Sequence, residues 1–405
     1  MMEEKILAKV DELSQEMIDT IIRMVQIDSV EAEAEPDAPF GRGVKNALDA
    51  ALRLAGDMGF STVNVDNYMG YASYGESEDY VCAVGHLDVV PVGTGWKQPP
   101  FSGYMKDGVI YSRGVLDNKG PVFSCLYALY ALKELGISLD RQVRIIFGCD
   151  EETGFEDLKY YLSKEKPPVM GFTPDCKYPV VYAERGRSVV EIDPPSMEWF
   201  YTLMNDYVLN AKNNGERFHI DFKDEEFGQL EVRNFKILPC ASEEADSASQ
   251  ADGADLASQA GSADSASQVD GAGRTVPALQ FAVSYPAGCT ADQIVETIRK
   301  ELPDMKVSLV SNMDPVRFEK DCRLVDTLRY TYERVTGMDG TPVTTTGGTY
   351  AKMMPNIVPF GPSFPGQKGI GHQPDEWMKV DDIITNAKIY ALSLYYLAKD
   401  TEMEK

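Results

Sequence analysis

The run Tyr80-Val81-Cys82-Ala83-Val84-Gly85-His86-Leu87-Asp88-Val89-Val90-Pro91 is a strand that ends in a potential ligand cluster. Its first five residues are β-prone without polar alternation, as expected for a strand covered on both faces of a sheet. Gly85 then breaks the run, and His86 and Asp88 follow two residues apart, so in extended backbone both side chains leave on one side. Val143-Arg144-Ile145-Ile146-Phe147 repeats the design and leads into Cys149-Asp150-Glu151-Glu152-Thr153-Gly154. Around these strands apolar residues recur at helical spacing: Ile6, Leu7, Val10, Leu13, Met17, Ile21 and Val25, then Val44, Ala47, Leu48, Ala51, Leu52 and Ala55. Alternating helix and strand periods specify an α/β fold. In open α/β sheets, chemistry gathers beyond the carboxyl ends of the strands, where these acidic and imidazole clusters fall.

The chain has 405 residues, 43% of them hydrophobic, enough for a full core and for two or three domains. Sixty-four Asp and Glu against 39 Lys and Arg leave a net charge of −25. Such a field repels nucleic acid and anionic membranes, so neither is an expected partner. Met1 to Val10 has no apolar signal core, and no apolar run approaches the roughly 18 residues of a membrane span. A cytoplasmic protein is expected. Its seven cysteines include no Cys-x-x-Cys pair and read as reduced, mostly buried thiols.

From about Ser188 the pattern changes to mixed strand and helix. Ala241 to Gly273 is almost wholly Ala, Ser, Asp, Gln and Gly, and the nine residues from Asp246 recur from Asp264 with Val269 in place of Ala. That composition cannot offset its ordering entropy and predicts a flexible acidic loop or linker. Strand-like Leu279 to Tyr285, a helix over Ala291 to Leu302 and strand-like Met305 to Val310 suggest a βαβ-type half of a small α+β domain. From Asp314 the α/β character returns and ends in a helix over Asp382 to Lys399.

The chain has three histidines, and two of them, His86 and His372, flank a series of carboxylates beside turn residues: Asp88, Asp117, Glu151, Glu152 and Asp175. Neutral imidazole suits zinc, cobalt or manganese, and Asp88 could accept the other ring N–H of His86. Asp117 could bridge two ions through its two oxygens. Of Glu151 and Glu152, one could ligate while the other served as general base. Each feature also has a plain reading: a strand-end pair, a helix-start Asp, a solvated acidic turn. The coincidence of all five in one set favours metal.

Gly85 to Pro91, Arg113 to Pro121, Asp150 to Gly154, Gly171 to Asp175 and Gly347-Gly348-Thr349-Tyr350-Ala351 resemble the co-catalytic zinc peptidases of the aminoacylase, ArgE/DapE and carboxypeptidase G family, most closely its PepV/Sapep dipeptidase branch. The resemblance covers most of residues 1–187 and 314–405, and implies a catalytic domain of mixed sheet flanked by helices there. An inserted small α+β lid domain, reduced here, would occupy 188–313 and include the low-complexity 241–273. It implies two divalent cations, zinc first with manganese or cobalt as alternatives. Asp117 would bridge them, His86 and Asp175 completing one site and Glu152 and His372 the other. Glu151 would be the general base, Asp88 would orient His86, and Gly347 and Gly348 would contact substrate. The implied reaction is hydrolysis of the amide bond of a dipeptide or similar small peptide by a monomer or homodimer.

The chain departs from that family in its lid. The family's lid histidine, in a Ser-Ala-His context, has no counterpart, and the branch's Arg before Tyr-Pro is Ser284. The remaining histidine, His219, lies in Phe218 to Phe222, whose alternation predicts a strand with His219 on its polar, surface side. Four readings therefore stand at this level: a working dipeptidase with altered lid donors, a deacylase of N-acyl amino acids, a metal-binding relative with little activity, and a metal-free peptide-binding module.

Overall fold

The computed structural model describes residues 2–240, 275–399 and 403. The expected loop at 241–273 lies outside the described residues. The chain divides into two compact units, one of Met1–Tyr182, Phe318–Val343 and Thr349–Lys405, the other of Ala183–Arg317 and Thr344–Gly348.

The first unit is built on a six-stranded sheet in the order Ser61–Val65, Met69–Tyr74, Gln142–Gly148, Tyr80–His86, Met170–Thr173, Ile357–Pro359. Tyr80–His86 runs parallel to both its neighbours, and Ile357–Pro359 parallel to Met170–Thr173. Met69–Tyr74 is antiparallel to the strands on either side of it, so the sheet is mixed. Every residue of Tyr80–His86 is buried, as its unbroken apolar run predicts. The helix Lys119–Glu134 is apolar around nearly its whole circumference because it packs on that strand and between Met2–Val25 and Val380–Ala398. Arg42–Asp57 is amphipathic and covers only the Ser61–Val65 and Met69–Tyr74 strands. The parallel pairing sets His86 opposite Gly148 and Ala83 opposite Phe172, so the turns after three adjacent strands open at one edge of the sheet. No helix among the described residues is long and apolar enough to cross a membrane.

The second unit is a four-stranded antiparallel sheet in the order Glu231–Leu238, Ala278–Tyr285, Gly186–Asp193, Lys306–Met313. Ala278–Tyr285 and Lys306–Met313 run the same way with Gly186–Asp193 between them, so the expected βαβ element is present in split form. Its helix, Ala291–Glu301, starts at a capping box in which Thr290 and Gln293 satisfy each other's backbone N–H. Val190, Phe281, Val283, Ile294 and Ile298 form the core beneath it.

The strand predicted around His219 is corrected. Phe218 and Ile220 are buried as the alternation requires, but Glu216–Phe218 is a 3-10 turn and His219 follows it with φ 56°. The buried–exposed alternation comes from a tight turn, whose local geometry mimics a period of two. His219 is exposed, 3.1 Å from the Glu301 carboxylate.

Candidate metal centre

Three strand ends and two loops of the first unit deliver the seven predicted side chains. His86 closes its strand, and its Nε2 lies 3.0 Å from Asp117 Oδ1 and 3.7 Å from Asp175 Oδ2. His372 Nε2 lies 2.9 Å from Asp117 Oδ2 and 2.9 Å from Glu152 Oε1. Asp117 therefore faces one imidazole with each of its oxygens. Ligand atoms of His86, Glu151 and Asp175 all lie within 4.8 Å of one another, as do those of His86, Asp117 and Glu152.

Local structure explains how each arrives. Asn118, which precedes the Lys119–Glu134 helix, accepts the His86 backbone N–H through Oδ1 at 3.3 Å and donates from Nδ2 to the Pro174 carbonyl at 2.7 Å. One amide thus ties the strand of His86 to the turn of Asp175, with Asp117 beside it. A Cβ on Gly85 would fall 2.3 Å from Asn118 Oδ1, which accounts for glycine before His86. At Gly371 the approach is less close, a Cβ there falling 3.3 Å from Asp117 Oδ2, and His372 takes φ 62° to turn its ring inward.

Asp88 serves two neighbours. Its backbone carbonyl lies 3.0 Å from His86 Nδ1, with carboxylate Oδ1 at 3.4 Å, and Oδ2 accepts the Glu152 N–H at 3.0 Å. The expected carboxylate contact to the ring is thus the longer one, and the main chain of the same residue supplies the shorter. The Asp150 to Gly154 turn is held from below by Asp157, which accepts from the backbone N–H of Cys149 at 2.7 Å and of Asp150 at 3.1 Å, and from the Tyr350 hydroxyl.

The electrostatics are those of acids crowded in a poorly solvated place. Burial, then the charges of Asp175, Glu152 and Asp117, pushes the Glu151 carboxyl well above its ordinary range. Asp175 is raised well above its range by burial and then by Asp117 and Glu152, and Glu152 is raised by burial and Asp117. Burial would lift Asp117 too, but hydrogen bonds from His372 and His86 hold it far below the usual carboxylate range. Burial disfavours the charged form of both imidazoles, yet hydrogen bonds to Asp117 and Glu152 push His372 up to about 11, and the charge of Asp88 with the hydrogen bond to Asp117 raises His86 well above 6.5. Converging carboxylates that repel one another, interleaved with two imidazoles, form a donor set that divalent cations fit.

The model of peptidase family M20/M25/M40 matches residues 82–395, a span that takes in all seven of these side chains. The chain belongs to this family. This M20 chain is accordingly a metallopeptidase by family. It is 28% identical to the putative dipeptidase YtjP of Bacillus subtilis over 444 aligned positions, covering 93% of this chain and 96% of that protein. It is 27% identical to the Beta-Ala-Xaa dipeptidase of Lactobacillus delbrueckii subsp. lactis over 468 positions, covering 97% and 99%. Both alignments exceed the 405 residues of this chain, so each relative carries segments this peptidase lacks. Among solved structures, human carnosine dipeptidase 1 matches with a TM-score of 0.71 at 18% identity over 98% of this chain and 99% of its own, which bears on fold.

Two predicted residues of the M20 peptidase, Gly347 and Gly348, fall in the second unit, where Thr345 Oγ1 accepts the Gly347 N–H at 3.4 Å. Sequence reasoning missed Asn118, Asp157, Arg113 and Glu376. All lie within or beside the motifs it quoted. The available signal was an adjacent acidic pair, Asp375-Glu376, three residues after His372, of which Glu376 is buried and Asp375 pairs with Lys97 at the surface.

Proposed function

We propose that this M20 peptidase hydrolyses dipeptides or similar small peptides with the aid of two divalent cations, zinc first and manganese or cobalt as alternatives. The observation that carries the reading is Asp117 facing His86 with one oxygen at 3.0 Å and His372 with the other at 2.9 Å. His86 and Asp175 with Asp117 would hold one cation, and Glu152 and His372 with Asp117 the other. Cations bound there supply Lewis acidity to the scissile carbonyl and lower the pKa of water at the site.

Glu151 is the remaining carboxylate of the set, and its raised pKa marks a group that takes up a proton readily. It takes a proton from the attacking water and passes it to the amine as the C–N bond breaks, so it ends as it began. Asp88 keeps the His86 ring oriented and the Glu152 backbone in place. The substrate class follows the names of the relatives, both dipeptidases. Gly347 and Gly348 offer backbone without side-chain bulk, which suits substrate contact. Seven cysteines, all free, suit a reducing cytoplasm.

The test is hydrolysis of a panel of dipeptides and N-acyl amino acids by zinc- or manganese-loaded protein, with Glu151→Gln alongside. Dipeptide turnover lost in the variant is the expected result. Preference for N-acyl amino acids would replace the substrate class, and turnover retained by Glu151→Gln would remove its role as base.

A further inference from the structure

Arg113 and Glu376 form an ion pair at 2.7 Å in which both side chains are almost wholly removed from solvent. Such a pair contributes little net stability, because desolvating two charges costs about as much as their attraction returns. Its contacts indicate another use. Glu376 Oε2 accepts from Arg113, while Oε1 accepts the backbone N–H of Leu116 at 2.9 Å and of Asp117 at 3.2 Å. The Glu376 carbonyl accepts the Ser112 N–H at 3.0 Å. Arg113 Nη1, which meets Glu376, also donates to the Gln373 carbonyl at 3.4 Å, and Nη2 donates to the Pro91 carbonyl at 3.4 Å, with the Trp96 ring 5.2 Å from the guanidinium carbon. The Arg113 fork therefore joins the segment that follows His86 and Asp88 to the loop that carries His372, and Glu376 joins that loop to the backbone of Asp117. A guanidinium spreads its donors in a fixed plane, which suits acceptors on separate segments better than the compact ammonium of lysine.

We propose that Arg113 and Glu376 are positioning residues that assemble the cation site. Glu376 sets the Asp117 backbone, and so the direction of its two oxygens, in register with the His372 loop on which Glu376 itself rides. Arg113 locks both to the His86 strand end. The pair acts through the ligands and touches neither substrate nor reacting atoms. This inference rests on the two-cation reading above.

The experiment is equilibrium dialysis of cobalt(II) and zinc into metal-free wild type, Glu376→Gln, Arg113→Lys and Arg113→Met. Far-ultraviolet circular dichroism checks folding, and the cobalt(II) visible spectrum reports ligand geometry. Wild type is expected to take up two cations. The folded variants are expected to bind about 10–100-fold more weakly, as partners behind metal ligands typically do, with an altered cobalt spectrum and with Arg113→Lys less affected than Arg113→Met. Wild-type affinity and spectrum in Glu376→Gln would overturn the inference and leave the two-cation reading intact. Wild type that takes up no cation would overturn both. Should Glu376→Gln fail to fold, Arg113→Lys decides by the same criterion, since it keeps the buried charge and removes only the fork.

Discussion

Glu151 and Glu152 are neighbours in sequence with separate surroundings. Glu152 meets His372 at 2.9 Å and has its backbone N–H held by Asp88, whereas Glu151 groups with His86 and Asp175. Glu151→Gln should lower turnover by about 10²–10⁴-fold while metal analysis still finds both cations, since it removes a proton carrier and no proposed ligand. Loss of metal in this variant would move Glu151 into the ligand set. Asp88→Ala should behave oppositely, weakening cation affinity by about 10–100-fold, read by competition with a chromogenic chelator. An unchanged affinity would reduce Asp88 to a fold residue. The proposed ligand side chains were legible because each stands within three residues of a Gly or Pro that turns the chain. Arg113 and Glu376 were not, because they meet each other across 263 positions and the backbone partners of their side chains lie 22 to 260 positions away, and no local period marks such a partner.

At the scale of elements, the site depends on strands and helices approaching more closely than side chains would allow. Gly148 pairs with His86 across the sheet, and a Cβ there would fall 1.9 Å from the Tyr350 hydroxyl. Gly148→Ala should therefore cost about 1–3 kcal/mol in urea unfolding, and should also loosen the Asp157 contact beneath the Glu151 turn. A stability equal to wild type would mean that the tyrosine moves aside freely. In the second unit, Thr290→Ala should cost about 1 kcal/mol by removing the cap of Ala291–Glu301. A change in the unfolding midpoint too small to detect would show that tertiary packing alone holds that helix. Both helices and strands with strong periods were predicted close to their observed ends, as with Met2–Val25 and Ala278–Tyr285. The Phe218–Phe222 segment was misread because three residues at a spacing of two are satisfied by a turn as well as by a strand.

At the scale of the molecule, the acidic centre makes stability depend on pH and metal together. Where a native-state pKa lies above its unfolded value, the native state binds more protons and stability falls as pH rises. In metal-free protein, Asp150 and Asp157, pushed up by burial to about 8 and about 7, lose stability from about pH 4 up to those values. His372, raised to about 11, loses its contribution between 6.5 and that value. Lys119, lowered by burial to about 7, opposes them above pH 7, as one group against several. Asp117, held below its ordinary range, contributes evenly above pH 4. The melting temperature of chelator-treated protein should therefore fall from pH 6 to pH 9. Added zinc should flatten or reverse that slope, because cations bind the deprotonated ligands of the native state. A melting temperature that rises with pH in the metal-free protein would contradict the charge distribution described.

Chain order and residue type alone specified an α/β sheet with its acidic and imidazole clusters at strand ends, since periods of two and 3.6 and the turn residues that end them are local properties. The same local reading gathered His86, Asp117, Glu151, Glu152, Asp175 and His372 into one candidate set, and the family resemblance divided it into proposed ligands and base. Which of these groups meet, and at what distance, depended on parallel pairing of strands far apart in the chain, which sets His86 level with Gly148. The buried fork of Arg113, the double acceptance by Glu376 and the Asn118 tie between two strand ends likewise exist only once the chain is packed. A buried polar group must find partners wherever the fold brings them, and sequence carries no direct record of contacts made across such separations.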